Sequence, residues 1–213
     1  MELPIFPLNV VLFPGARLPL HIFEERYKAM INACIKEKPP FGICLIKAGV
    51  EAGGPAEPFK VGTTAYVREV QRLDDGRMNI VCVGGERFSI SKVTRETPFI
   101  VADVETVAQE QCAAEELSHA ASDIFAEYVR LNLAVTNQWA RGIEMPTEAG
   151  TLADFIAARL GADTRTKQRL LEQLSPELRL QAEVELLSRA VHQLGTQVKV
   201  ARAARWLGFG VMN

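Results

Sequence analysis

Residues 63–83 read TTAYVREVQRL-DDGR-MNIVCV, and this stretch sets the fold class. Two runs rich in β-branched and apolar residues flank the tetrad Asp74-Asp75-Gly76-Arg77. Asp-Gly supplies the positive φ angles of a tight turn, so the stretch reads as a β-hairpin. Working outward, Glu86 to Val93 and Ile100 to Val107 are further strands, parted by Thr97-Pro98. Upstream, Phe41 to Lys47 is a short apolar run that reads as a buried strand, followed by a Gly/Pro loop over 48–60. Leu3 to Phe6 and Arg17 to Ile22 are also strand candidates. Leu18, Leu20 and Ile22 alternate, which predicts one buried face. Pro19 demotes that run to an edge strand or a bulge. Strands at this spacing, with turn signals between them, indicate a barrel or sandwich.

One helix interrupts the strands. Over Glu24 to Lys36, Tyr27, Met30, Ile31 and Cys34 recur at spacings of three and four and share a face. Pro39-Pro40 stops it. Beyond residue 108 the pattern changes to Ala, Leu, Glu, Gln and Arg at helical spacing. The expected organisation is therefore 1–108 as a β-barrel subdomain with one short helix and 109–213 as a helical bundle. A long helix is predicted from Gln109 to about Arg141. A shorter one begins at Thr151, where Asp154 offers a capping box. A third is capped by Asp163. Ser175-Pro176 opens the last, a capping hydroxyl followed by proline at the first helical position. That helix carries Leu180, Val184, Leu187, Val191, Leu194 and Val198 and could reach Trp206; Gly195 is a place for a kink.

The chain of 213 residues is 48% hydrophobic and 23% charged, with net charge -2. Those values exclude a disordered chain and argue against a generic nucleic-acid binder, whose footprint is an excess of Lys and Arg. Residues 1–108 carry 13 acids and 13 bases; residues 109–213 carry 13 and 11. The four cysteines (Cys34, Cys44, Cys82 and Cys112) form no CxxC pair, and Cys44 and Cys82 sit in apolar runs as small core hydrophobes. The N-terminus lacks a positive n-region and no run approaches a membrane span. The expected setting is cytoplasmic, with reduced thiols.

Motifs for catalysis are sparse. There is no GxxxxGK[ST] phosphate loop, no GxSxG nucleophile elbow and no GxGxxG after a strand. His21-Ile22-Phe23-Glu24-Glu25 is one residue short of an HxxEH zinc motif, and it straddles a strand-to-helix junction, so no metal is expected. His119, Ser122 and Asp123 hold the residue types of a hydrolase triad without any sign of an oxyanion hole; side chains on a solvated helix face explain them better. Gly195 to Asn213 carries Lys199, Arg202 and Arg205 with Trp206, Leu207 and Phe209. Contact with lipid or nucleic acid is one reading of that segment. Packing of the apolar face, with the cations in water near a helix C-terminus, is the stronger reading.

Leu3-Pro4-Ile5-Phe6-Pro7-Leu8, Val11-Leu12-Phe13-Pro14-Gly15 and Leu18-Pro19-Leu20-His21-Ile22-Phe23-Glu24-Glu25-Arg26-Tyr27 together resemble the opening of the Lon protease N-terminal domain. The His-Ile-Phe-Glu-x-Arg-Tyr form is similar to that of its stand-alone bacterial versions. Val61-Gly62-Thr63, Gly84-x-x-Arg87-Phe88-x-Ile90, and Lys167-Gln168-x-Leu170-Leu171-Glu172 before Ser175-Pro176 follow in the family's order. The resemblance implies an α+β fold, a PUA-like β pseudobarrel followed by an α-helical bundle. It implies a non-catalytic module that selects unfolded or extended polypeptide, with a protease or chaperone as a further partner. No enzyme activity, cofactor or membrane is expected. The candidate polypeptide-binding residues are Phe13, Arg17, Leu18, His21, Phe23, Arg87 and Phe88. For each, packing in the barrel core is the competing role, since motifs rich in Pro and Phe commonly fix such a core. Two alternatives stand beside this reading. One is an RNA-binding module, because PUA-like barrels include RNA binders. The other is an uncharacterised enzyme, which a deep pocket with two perturbed titratable groups would support.

Overall fold

The structure, a computed structural model, describes residues 1–112, 114–136, 138 and 142–209, with side chains up to residue 200. Its contacts divide it into two compact units, Met1–Glu110 with Ala157–Leu174, and Gln111–Ile156 with Ser175–Asn213. The change of sequence pattern near 108 thus falls beside the first crossing between units. The chain then re-enters the first unit at 157 and leaves it at 174.

The first unit holds β1 (Glu2–Leu8), β2 (Arg17–Ile22), α1 (Glu25–Glu37), β3 (Phe41–Gly49), β4 (Ala56–Pro58), β5 (Val61–Arg72), β6 (Met78–Arg95) and β7 (Ile100–Thr106). β1 pairs with β3 in parallel and with β7 antiparallel, while β7–β6, β6–β5 and β5–β3 are antiparallel. These pairings close a ring of five strands, the expected pseudobarrel. A closed ring leaves no unpaired edge around itself. β2 stands outside the ring and pairs with the first half of β6.

The hairpin turns where its sequence demands. Gly76 has φ 78° and its N–H donates to the Leu73 carbonyl at 3.0 Å. β6 runs through Gly84 and Gly85 as one strand, where sequence reading separates Met78–Val83 from Glu86–Val93. The physical reason is close approach. A Cβ on Gly84 would strike the Phe13 carbonyl, and one on Gly85 would meet Thr64 Oγ1 at 2.5 Å. The strand therefore uses glycine to admit its neighbours, without stopping. The 48–60 loop also contains the short β4, which sequence reading misses.

α1 buries Tyr27, Met30, Ile31 and Cys34, the predicted face, and ends at Lys38 in the left-handed region. Its core cluster includes Phe6, Leu8, Phe41, Ile43, Met78, Ile80 and Cys82. Burial pushes the Cys34 and Cys82 thiols up to about 11, which suits inert core residues. α4 (Thr164–Glu172) belongs to this unit, and its N-cap Asp163 accepts from the Thr166 N–H at 2.9 Å.

In the second unit, α2 (Glu115–Val135) is shorter than the predicted 109–141, of which 113, 137 and 139–141 lie outside the described residues. α3 (Ala149–Arg159) crosses the boundary between units. It starts before Thr151 because Glu148 supplies the capping carboxylate, accepting from the Gly150 and Thr151 N–H groups at 2.8 and 2.6 Å. Asp154, expected in a capping box, is instead buried and lies 3.6 Å from the buried Arg179 guanidinium. α5 (Pro176–Phe209) continues through Gly195. It packs along α2, burying Leu180, Leu187 and Val198. Arg202, Arg205, Trp206, Leu207 and Phe209 lie outside the described side chains.

Candidate functional site

β2 brings Arg17, Leu18 and His21 together, with Phe23 directly after it. It is an edge strand, the first of the two readings Pro19 allows, and among the described residues only β6 pairs with it. The phase of that ladder follows from one bond. The Gly84 N–H donates to the Ala16 carbonyl at 2.9 Å, with Arg17 opposite Val83. Leu18, Leu20 and Ile22 therefore face β6 with their backbone groups, and Arg17, Pro19 and His21 turn theirs to the open edge. Pro19, which has no N–H, occupies a position where the ladder needs none.

The side chains alternate as well. Ile22 is buried and Leu18 and Leu20 pack on the core, while Arg17, Pro19 and His21 are exposed. On the outer face, His21 Nδ1 and Asn79 Oδ1 are 2.7 Å apart, and Asn79 Nδ2 donates to Gln71 Oε1 at 3.2 Å, a polar row across three strands. Arg17 pairs with Glu69 across the same face. Phe23 stacks beside the His21 ring, centroids 6.0 Å apart, and is 51% exposed.

A concavity of about 410 Å³ lies along this edge, lined by Phe6 and Leu8 of β1, Pro19 to Glu24, Tyr27, Glu51 and Ala52. The Tyr27 ring lines it. It stacks on Phe6 at 4.0 Å, and the Arg26 guanidinium lies 4.6 Å over it. Burial pushes the Tyr27 phenol above its usual pKa, against the pull of Arg26. A second concavity, about 300 Å³, shares Tyr27 and continues to Pro7, Pro55, Val93 and Ile100. A shallow hollow of about 500 Å³ shares Pro19, Leu20 and His21 and covers the outer face. All three belong to the first unit.

The other three expected residues do not line this surface. Phe13 and Phe88 are wholly buried, and Arg87 is 4% exposed with its Nε donating to the Leu171 carbonyl at 3.0 Å. Their motif fixes the core. Gly42 and Gly62 leave room for the Phe88 ring, which a Cβ on either would approach to within 2.8 Å. Sequence reasoning missed Phe6, Leu8, Tyr27 and Glu51 at the first concavity and Glu96 at the second. Tyr27 reads in sequence only as part of the α1 core face, and the acids in the loops carry no local signal.

His119, Ser122 and Asp123 lie on α2, and no hydrogen bond joins them among the described residues. Among the described residues no group of three His, Cys, Asp or Glu side chains is placed to hold a metal, and no helix is long and apolar enough to cross a membrane.

Comparison with known proteins gives a consistent picture. The model of the ATP-dependent protease La (LON) substrate-binding domain matches residues 2–189. Lon protease of Anaeromyxobacter dehalogenans is 29% identical over 95% of this chain, and Lon protease of Geobacter metallireducens 30% identical over 95%. The chain spans about a quarter of the length of these relatives, 25% and 26%. Two solved structures share the fold. The Lon N-terminal domain protein from Xanthomonas campestris has TM-score 0.62 and 24% identity, over 85% of this chain and 96% of that one. The N-terminal domain of Mycobacterium avium complex Lon protease has TM-score 0.64 and 19% identity, over 88% and 98%.

Proposed function

The chain belongs to the Lon substrate-binding domain family, and from that premise we propose that it captures extended polypeptide by adding it as a strand to the open edge of β2. One observation carries this reading: the ladder phase turns the backbone of Arg17, Pro19 and His21 outward, beside a concavity lined by Phe6 and Tyr27. In strand addition, main-chain hydrogen bonds supply affinity and pockets for alternate side chains supply selectivity. The incoming strand bonds to the His21 N–H and to the outward carbonyls. Its apolar side chains, two residues apart, enter the concavity, while Phe23 and His21 flank the mouth. Arg17 presents its backbone at the other end of the same strand, and Leu18 holds that end against β6 and the core. Phe13, Arg87 and Phe88 act only by holding the barrel.

The module binds without turnover of its own, and the captured segment passes to a proteolytic partner. The setting is the cytoplasm, where three buried thiols remain reduced.

Fluorescence anisotropy with a labelled extended peptide tests the reading. Saturable binding is expected, with a dissociation constant at or below about 100 μM, typical of a small interface. His21→Pro removes an open-edge N–H while sparing the β2–β6 ladder, and is expected to weaken binding about tenfold, the scale of one backbone bond. Asn79→Ala removes the side-chain partner of His21 and is expected to leave binding nearly unchanged. No saturable binding at high micromolar concentration, or full binding by His21→Pro, overturns it.

A further inference from the structure

Resting on that groove reading, we propose that the preferred occupant is an extended segment carrying Lys or Arg beside its apolar residues. The two concavities that share Tyr27 are lined by four carboxylates, Glu24, Glu51, Glu57 and Glu96, and by one cation, Arg26.

Two of these carboxylates are already met. Arg26 lies 2.9 Å from Glu24, and Lys47 lies 2.5 Å from Glu57. The other two are not. Glu51 accepts from the Asn9 N–H at 3.3 Å and the Asn9 side-chain amide at 2.7 Å, both neutral donors. Glu96 is exposed and has no ion-pair partner among the described residues. The uncompensated charge is therefore negative in both concavities, one carboxylate in each beside apolar side chains.

That layout matches one kind of chain. Alternate residues of an extended segment stand about 6.6 Å apart on one face, so an apolar side chain in the concavity places its neighbours toward the rim. Lys and Arg lay their methylene stems along apolar surface and carry the charge outward, where Glu51 and Glu96 wait. An acidic segment meets like charge at the same points. The rim is solvent-exposed, so the effect is modest and screened by salt beyond about 8 Å at physiological ionic strength.

The experiment uses three synthetic octapeptides with the same alternating Val and Phe core and with Lys, Ser or Glu at the flanks. Each is titrated by anisotropy against the full chain, at about 50 and 500 mM salt. The expected order is Lys, then Ser, then Glu, with about three- to tenfold between the extremes at low salt and less at high salt. The double variant Glu51→Gln, Glu96→Gln removes two surface charges and keeps amide acceptors. It is expected to level the three affinities while Ser-flanked binding persists. Equal binding of all three peptides by the unaltered chain overturns the charge preference and leaves strand capture standing. A Lys preference that survives the double variant also overturns it. No binding by any peptide overturns both readings together.

Discussion

The Arg87 Nε donates to the Leu171 carbonyl at 3.0 Å, joining residues 84 apart in sequence inside the first unit. α4 is bound to the barrel a second time, through the Gln168 amide and the Val61 carbonyl at 3.0 Å. Both donors are buried, and these bonds explain why a helix from the later part of the chain belongs to the strand unit. Arg87 thus serves the fold, not the surface.

Arg87→Ala leaves the Leu171 carbonyl without this donor and opens a void. A loss of about 3 kcal/mol is expected, in the range for an unsatisfied buried group plus lost packing. Urea denaturation checks it through a lower midpoint at unchanged slope. A shift below about 0.5 kcal/mol would show that the bond is dispensable.

The phenylalanines divide by burial. Phe13→Ala and Phe88→Ala each remove a wholly buried ring and are expected to cost about 3–5 kcal/mol. Phe23→Ala, at a position 51% exposed, is expected to change stability by less than about 0.5 kcal/mol while weakening peptide binding. Thermal melts and anisotropy on the same three variants separate the two roles.

Gly62 faces Cys44 Sγ and the Ile43 carbonyl, each 2.5 Å from where a Cβ would stand, and Phe88 Cζ at 2.8 Å. Backbone on one side leaves little room to yield. Gly62→Ala is expected to destabilise by about 1–3 kcal/mol despite its better strand propensity. Gly53→Ala, in open space but at φ 75°, isolates the backbone cost alone. Calorimetry of the pair is the check, and a neutral Gly62→Ala would count against the packing described here.

Two helix starts carry acid sensitivity. The Thr166 hydroxyl and N–H hold the Asp163 carboxyl below its usual range. Burial pushes Glu148 up, but the Thr151 hydroxyl and the Gly150 and Thr151 N–H groups outweigh it and hold that carboxyl low. A carboxyl with a lowered folded pKa stabilises the fold above its unfolded value, about 4 here, and the contribution is lost as pH falls through the folded value. The melting temperature is expected to fall between about pH 5 and pH 3. Asp163→Asn with Glu148→Gln should flatten that fall; an unchanged slope would assign the acid sensitivity elsewhere.

Much of the fold is legible in short range. The hairpin over 63–83, the α1 face of Tyr27, Met30, Ile31 and Cys34, and the Asp163 cap rest on neighbours within one turn, so their sequence signals are local. The site is legible only in part. Pro19 marks an open edge because its missing N–H bars it from a paired position. Phe13, Arg87 and Phe88 look equally available in sequence, since a conspicuous aromatic or arginine serves a core as well as a surface.

Read alone, the sequence specifies most strands and helices, an edge or a bulge at Pro19, and a chain without excess charge. Only the tertiary contacts bring β1 against both β3 and β7 to close the barrel, return α4 to it, place Phe6 and Glu51 in one concavity with Tyr27, and place Glu96 in the second that Tyr27 also lines. Closure, return and convergence depend on contacts between residues tens of positions apart. Those contacts are selected by burial and hydrogen-bond satisfaction over the whole unit, and no local spacing records them.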